Sequence, residues 1–198
     1  MERGELDLGC GELPGLTRSP LLDSPEASLN QAFAWAVRHD PAGVRADPDT
    51  GGSAWDDDAF ADLVDQARTF RRVGAGALRD PAGFLHQVVA GLFGVRAETA
   101  GGRFEILPWI SEDWRAFALR RLRCHRTLLD VEVRVRADWV TVRLELTFGP
   151  AIPVLLGLRN RGIPSRVTVD EIPLETERAV FTVEGQHEVV FFCRRRAE

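Results

Sequence analysis

The chain has 198 residues, of which 44 % are hydrophobic and 28 % charged, and its formal net charge is −5. This length lies within the usual range of one domain, and the composition excludes a disordered chain. No apolar run approaches the roughly 20 residues that a membrane helix needs. Met1–Gly9 carries acids and lacks the apolar centre of a secretion signal. We therefore expect a cytoplasmic protein with no membrane partner.

All 25 basic residues are arginine, and the chain has no tyrosine. A GC-rich genome explains this bias, because arginine codons are GC-rich, and we expect a bacterial source. The bias also excludes chemistry that needs a lysine Schiff base or a tyrosine acid. Residues 1–100 hold 16 acids and 9 arginines, whereas residues 101–198 hold 14 acids and 16 arginines. Neither half is basic enough for a nucleic-acid footprint, so we expect no nucleic-acid partner.

The first half of the chain predicts helices. Residues 1–24 are rich in glycine, proline and acids and are predicted to form an irregular leader. Ser24 is the predicted cap of the first helix, with Pro25 as its first helical residue. Apolar residues then recur at helical spacing in three segments of the range 25–95. The predicted helices run from Pro25 to before Pro41, from Asp56 to Leu78 and from Pro81 to Phe93.

The period changes to two after Gly101, which predicts strands over 100–198. A phase slip at Arg120–Arg121 predicts a β-bulge. The short connection Ala137–Asp138 predicts a hairpin between the two strongest alternating runs. The predicted fold is α+β: about three N-terminal helices, followed by an antiparallel β-sandwich of roughly eight strands. Further strands are predicted at Ile152–Leu158, Arg166–Asp170, Ala179–Val183 and Glu188–Arg194.

The cysteines and histidines do not form a motif. Cys10, Cys124 and Cys193 are widely spaced, so zinc ligation is not expected. Cys124 and Cys193 lie in strand-like runs and are predicted to be buried apolar groups. No spacing supports a catalytic cysteine paired with a histidine, and lone histidines such as His86 and His125 are interpreted as structural. We predict no cofactor and no metal.

Between Val88 and Arg134, a helix-ending G-L-x-G-[VI] turn at Gly91–Val95 leads to a strand at Gly102–Pro108. Trp114 with apolar alternation and a strand at Leu129–Val133 follow. In this order the stretch resembles the end of a six-hairpin, (α/α)6-barrel glycosidase running into its C-terminal β-sandwich. Debranching-enzyme-like, rhamnosidase-like and glucoamylase-like glycosidases share this layout. Ser28–Asp40 is similar to a first barrel helix, and the segments Val167–Asp170 and Gly185–Phe191 suit closing strands.

The resemblance implies a glycosidase-related module from which most of the catalytic barrel is missing. A full barrel has twelve helices, whereas only three fit between Pro25 and Val95, and the loops that carry the family's catalytic carboxylates have no room. We therefore expect no catalytic residue and no activity of this chain alone; any activity would be that of a glycoside hydrolase. The hypotheses left open are a non-catalytic structural or interaction module, a carbohydrate-binding module, and one piece of a split glycosidase.

The acidic stretch Asp47–Asp58 partly matches a calcium-binding loop. Asp47 and Asp49 fall at positions one and three of such a loop, and Asp58 at position twelve. Position twelve is not glutamate, and no clear helix leads into the stretch, so a solvated loop before an acidic helix start is the preferred interpretation. The carboxylates of Asp56 and Asp58, close to Trp55, are a second candidate, as an acid–base pair acting on a glycosidic bond. Helix-start acids beside a core tryptophan are again preferred.

Three tryptophans could stack on sugar rings. Trp139 is the best candidate for substrate binding, because it falls on the polar phase of its strand. Trp109 and Trp114 are predicted to fill the join between the helices and the sandwich instead.

The helices predict association with another chain, since each carries an apolar stripe that would pack against two neighbours in a full barrel. We therefore expect a homo-oligomer or a complex with a barrel-bearing partner. The stripe residues are Leu29, Phe33, Val37, Phe60, Leu63, Phe70, Phe84, Leu85 and Leu92.

Overall fold

The computed structural model describes residues 19–40, 44, 55–98 and 102–193. Within these ranges the chain forms three α-helices and eleven strands, with the helices ahead of all strands but one. The predicted α+β class is therefore confirmed. The helices are α1 Ala27–His39, α2 Asp57–Val73 and α3 Pro81–His86; a 3₁₀ turn at Ala75–Ala77 follows α2, and a π-helical turn at Gln87–Leu92 continues α3.

The strands of the described residues form two sheets. The large sheet has the order β1-β4-β5-β6-β11-β8-β9, and the small sheet the order β10-β7-β3-β2. All described pairings are antiparallel except that of β3 with β7, which is parallel. The strands are β1 Leu21–Asp23, β2 Val95–Glu98, β3 Arg103–Ile106, β4 Ala116–Cys124, β5 Thr127–Val135, β6 Trp139–Phe148, β7 Ile152–Leu156, β8 Arg166–Val169, β9 Ile172–Leu174, β10 Ala179–Val183 and β11 Gln186–Phe192.

Local sequence features explain the helix boundaries. The side chains of Glu26, Asp56 and Asp80 each accept a hydrogen bond from a backbone N–H in the first turn of α1, α2 and α3. Such caps satisfy donors that have no partner within the helix. Gly74, at φ 90°, ends α2 at Val73, five residues before the predicted end at Leu78.

The start of α1 differs from the prediction. Glu26, not Ser24, is the cap, and the helix begins at Ala27. The Ser24 hydroxyl instead lies 2.8 Å from Asn30 Oδ1, and the Asn30 amide donates to the Ser24 carbonyl at 2.9 Å. Just before this turn, the leader predicted to be irregular over 1–24 contains β1, which pairs antiparallel with β4.

The central hairpin follows the sequence pattern. β5 and β6 pair with Val135 opposite Val140, so Ala137–Asp138 forms the predicted tight connection. The β4–β5 register shifts between Leu119 and Leu122, which confirms the bulge predicted at Arg120–Arg121. Arg121 has φ 56°, a left-handed conformation that bulges can accommodate.

The helices and both sheets share one hydrophobic core. The apolar stripes of the helices face this core: seven of the nine stripe residues are buried, and only Phe60 and Phe70 keep intermediate exposure. The exposed helical stripe on which the expected association was based is therefore covered within this chain. Association with another chain is untested and stays a prediction. In the part of the chain that is described, no helix combines the length and apolarity needed to cross a bilayer.

Candidate functional site

The residues that carry the glycosidase resemblance lie at the junction between α3 and the sandwich. Gly94 follows the π-helical turn with φ 63°, and its carbonyl accepts a hydrogen bond from the Leu107 N–H at 3.2 Å. A Cβ at Gly94 would overlap the Leu107 carbonyl and lie 2.9 Å from the Arg159 guanidinium. Both the backbone conformation and the close approach therefore require glycine here.

Gly91 has a different role in the same turn. A Cβ at this position would overlap the indole ring of Trp55, which precedes α2. The absence of a side chain at Gly91 thus makes room for Trp55 and lets the start of α2 approach the π-helical turn closely. This contact places Trp55 inside the helical layer, where it is half-buried and packed against the core. Because the Trp55 ring packs against Gly91, this packing argues against a role for Trp55 in stacking on a sugar beside Asp56 and Asp58.

Arg159, in the loop after β7, holds the end of the same turn. Its guanidinium donates to the carbonyls of Ala90 and Gly91 at 3.0 and 3.2 Å. Burial and the neighbouring Arg96 lower the pKa of Arg159, while Glu105 opposes the shift. These carbonyls lie at the negative end of the helix, where a cation is favourable. No spacing in the sequence marks Arg159 for this role.

Trp114 and Trp109 fill the join, as predicted, and each is only 7 % exposed. The ring of Trp114 makes edge contacts with Phe60 of α2 at 5.1 Å and with Phe117 of β4 at 5.7 Å. The backbone N–H of Trp109 donates to the Leu92 carbonyl at 2.8 Å. Neither ring is available to stack on a ligand, because both are buried in the hydrophobic core.

The acids considered for catalysis cap helices or face solvent. Asp56 Oδ1 accepts from the Ala59 N–H at 2.9 Å, which makes Asp56 the cap of α2. Asp58 lies in the exposed first turn of that helix, where its charge favours the positive helix end. The other two calcium candidates, Asp47 and Asp49, lie outside the described residues. Among the described residues, no three His, Cys, Asp or Glu side chains are grouped as metal ligands.

The two described cysteines are buried thiols, as predicted. Burial raises the pKa of Cys124 to about 12. Burial also raises the pKa of Cys193, although nearby Arg161 acts in the opposite direction. Because the thiolate is the nucleophilic form, this environment suppresses nucleophilic chemistry at both residues.

The open face of the large sheet, defined here by Trp139, Phe192, Arg166 and Thr141, turns away from the core. The neighbours that alternate with these residues, such as Val140 and Phe191, are fully buried on the other face. Trp139 is 42 % exposed, whereas the other described tryptophans are buried or half-buried.

Trp139 has an aromatic neighbour on the adjacent strand. Phe192 of β11 is its register partner, and Arg166 of β8 is in turn the register partner of Phe192. The Arg166 guanidinium carbon lies 5.4 Å from the centroid of the Phe192 ring, a cation–π distance. The prediction placed Trp139 on this face. It missed Phe192 and Arg166, because they come from strands that are distant in sequence.

A second polar pair lies near the other end of β11. His187 Nδ1 is 2.7 Å from Asp170 Oδ2, and the second carboxylate oxygen accepts from the Glu188 N–H at 2.9 Å. Partial burial acts to raise the pKa of Asp170, but the two hydrogen bonds and the imidazole lower it overall. The pair ties β11 to the turn after β8, and no short motif in the sequence marks it.

The sequence matches no protein-family model and no curated protein. Among solved structures, the chain is similar to a putative kojibiose phosphorylase from the human microbiome, with a TM-score of 0.39 and 12 % identity over 68 % of this chain and 15 % of that one. It is also similar to an alpha-L-rhamnosidase from Dictyoglumus thermophilum, with a TM-score of 0.40 and 13 % identity over 59 % of this chain and 13 % of that one.

A third similar structure is a GH127 beta-L-arabinofuranosidase from Geobacillus stearothermophilus T6, with a TM-score of 0.35 and 13 % identity over 59 % of this chain and 19 % of that one. The chain thus spans less than a fifth of each of these three proteins. At TM-scores below 0.5 the three likenesses do not assign a function to this chain.

Proposed function

We propose that this chain is a non-catalytic structural or interaction module related to the C-terminal region of six-hairpin glycosidases. The observation that supports this proposal is the use of the family-like residues in the junction. Gly91 receives Trp55, Gly94 admits the Leu107 carbonyl, and Trp114 packs between α2 and β4. Each of these residues has an architectural role that requires its residue type.

The carboxylates of the described helices support the same proposal. A glycosidase needs two carboxyl groups on either side of a bound sugar, about 5 to 9.5 Å apart. Asp56 and Asp80 are hydrogen-bonded to the backbone as caps, which favours a structural role for these acids. A module of this kind would act by holding a second molecule.

The test is an activity assay with matched variants. We expect the purified chain to hydrolyse aryl glucosides and aryl rhamnosides no faster than buffer. Asp56→Asn should unfold like the parent, since asparagine also caps helices, whereas Asp56→Ala should lose about 1 kcal/mol of stability. Turnover that Asp56→Asn or Asp58→Asn abolishes would show that the chain is a glycosidase.

A second candidate function is carbohydrate binding on the open face. The exposure of Trp139 beside Phe192 favours it, because exposed aromatic rings are typical anchors of binding surfaces. Affinity gel electrophoresis in polysaccharide gels tests this function. Retardation of the parent chain that Trp139→Ala removes would support it, and unchanged migration in every gel would contradict it.

The proposed module needs a binding partner, and the expected association would provide one. A second copy of the chain, or a separate chain that carries the barrel, would supply the molecule to which the module binds. Light scattering at micromolar concentration distinguishes a 22 kDa species from a dimer. A neighbouring gene that encodes a barrel, and whose product co-purifies with this chain, would favour a split glycosidase.

A further inference from the structure

The end of the open face carries a row of four side-chain positions on four adjacent strands. Arg136 directly follows β5, and its N–H donates to the Trp139 carbonyl at 2.9 Å across the hairpin. Trp139 is opposite Phe192, and Phe192 is opposite Arg166. The order across the sheet is therefore cation, aromatic ring, aromatic ring, cation. With strands about 4.8 Å apart, the row spans about 14 Å between the two arginine backbones.

The two arginines of this row differ from others on the same face. Arg120 lies 3.4 Å from Asp130 and 3.5 Å from Glu132, and Arg134 lies 2.7 Å from Glu132. Arg136 and Arg166 are both exposed and have no carboxylate within ion-pair distance among the described residues. Asp138 is the acid nearest to Arg136 in the sequence and lies in the turn between Arg136 and Trp139. The charges of Arg136, Arg166 and Asp138 therefore sum to one net positive charge.

We propose that this row binds an acidic carbohydrate, with a sugar ring stacked on Trp139 and carboxylate groups paired with Arg136 and Arg166. This assignment rests on the carbohydrate-binding candidate above and names its ligand class. A guanidinium group pairs with a carboxylate through two parallel, charge-assisted hydrogen bonds. A neutral sugar has no carboxylate and cannot form such a pair. The arginines at both ends of the aromatic pair thus select for charge, while the rings supply the apolar contact.

The rest of the face argues against a long polyanion such as single-stranded nucleic acid. Further along the described strands, the same face carries four acids against three arginines, so it lacks the continuous positive charge that a phosphate backbone needs. The acids are Asp130, Glu132, Glu145 and Glu188, and the arginines are Arg120, Arg134 and Arg143. A ligand that lies across the strands, along the row, avoids these acids. The geometry therefore favours a short acidic segment bound at the end of the sheet.

The experiment compares polygalacturonate with its highly methyl-esterified form, which keeps the sugar rings and removes most of the charge. We expect the full chain to bind polygalacturonate about 2- to 25-fold more tightly than the ester, which is the combined effect of two exposed ion pairs, with the difference shrinking at high salt. Arg136→Gln and Arg166→Gln should each weaken binding to the acid by about 1.5- to 5-fold and leave binding to the ester unchanged. Trp139→Ala should weaken binding to both by roughly tenfold.

Arg126→Gln is the matched control, because Arg126 is an exposed arginine in the turn at the opposite end of β5. It should bind like the parent, and thermal unfolding confirms that each variant is folded. Equal binding of acid and ester would overturn the charge-selective row while leaving carbohydrate binding intact. Failure to bind either polymer would overturn both. Binding of an oligothymidylate probe that Trp139→Ala abolishes, without binding of polygalacturonate, would assign the row to nucleic acid and overturn the proposal.

Discussion

Gly94→Ala tests the junction between the helices and the sandwich most directly. At φ 63° an alanine is strained, and its Cβ would overlap the Leu107 carbonyl. Gly102 provides a matched control, because it has the same φ of 63° and open space where a Cβ would lie. The two substitutions therefore share the conformational strain and differ in the steric overlap.

The magnitudes follow from these two contributions. A left-handed conformation costs an L-residue about 1–2 kcal/mol, which is the whole expected effect of Gly102→Ala. Gly94→Ala adds about 1 kcal/mol for weakening the Leu107–Gly94 hydrogen bond and about 1–3 kcal/mol for overpacking against backbone that cannot rotate away. The expected loss at Gly94 is therefore about 3–6 kcal/mol, or roughly 6–24 °C in melting temperature for a chain of this size.

Urea unfolding followed by tryptophan fluorescence measures both variants. The buried Trp114 and Trp109 lie close to the junction, so the same signal reports on its opening. We expect the unfolding midpoint of Gly94→Ala to fall well below that of Gly102→Ala. If the two variants lose the same stability within about 0.5 kcal/mol, the backbone of Leu107 does not constrain Gly94, and the junction argument fails.

Three further predictions concern a carboxylate, a thiol and a metal. The pKa of Asp170 is lower in the folded state than its ordinary value of 3.8, so the stability that its carboxylate contributes is complete well above pH 4 and is lost as the pH falls below 3.8. Asp170→Asn should therefore be less stable than the parent at pH 7, and the difference between their urea unfolding midpoints should narrow at pH 3. A difference of equal size at both pH values would contradict this. Cys124 should resist iodoacetamide at pH 8 in the native chain and react after denaturation, as mass spectrometry of the modified peptide would show, whereas rapid native labelling would refute its burial. Calcium should leave the melting temperature unchanged, and a rise that Asp47→Ala removes would reveal the binding loop.

The elements that could be predicted from the sequence are those with a local signal. The β5–β6 hairpin combines nine- and ten-residue strands with strict alternation, and the bulge before Leu122 is visible as a phase slip. The strands β1 and β9 have three residues each, too few for any period, and were not predicted. The parallel pairing of β3 with β7 joins segments almost fifty residues apart, which local patterns cannot indicate.

The candidate site also has one part that local sequence patterns predict and one part that depends on strand pairing. The phase of β6 predicted that Trp139 faces outward, because alternation along one strand is a local property. The position of Phe192 beside it depends on the pairing of β6 with β11, and that of Arg166 on the pairing of β11 with β8. Both pairings skip intervening strands. A row across four strands is therefore invisible in the sequence, even when each strand in it is predicted correctly.

The roles of the family-like residues also indicate where an activity should be sought. Gly91 and Gly94 are required by backbone approach and conformation, and Trp114 by packing, so a chain that keeps this join must keep these residue types whatever it binds. A motif of this kind can therefore be shared by proteins with different activities. Side chains such as Trp139 and Arg166 do not support the core, and their replacement should change stability by only about 0.5 kcal/mol. Substitutions that alter binding without altering stability should consequently lie on the open face of the large sheet, whereas those at the junction should alter both together.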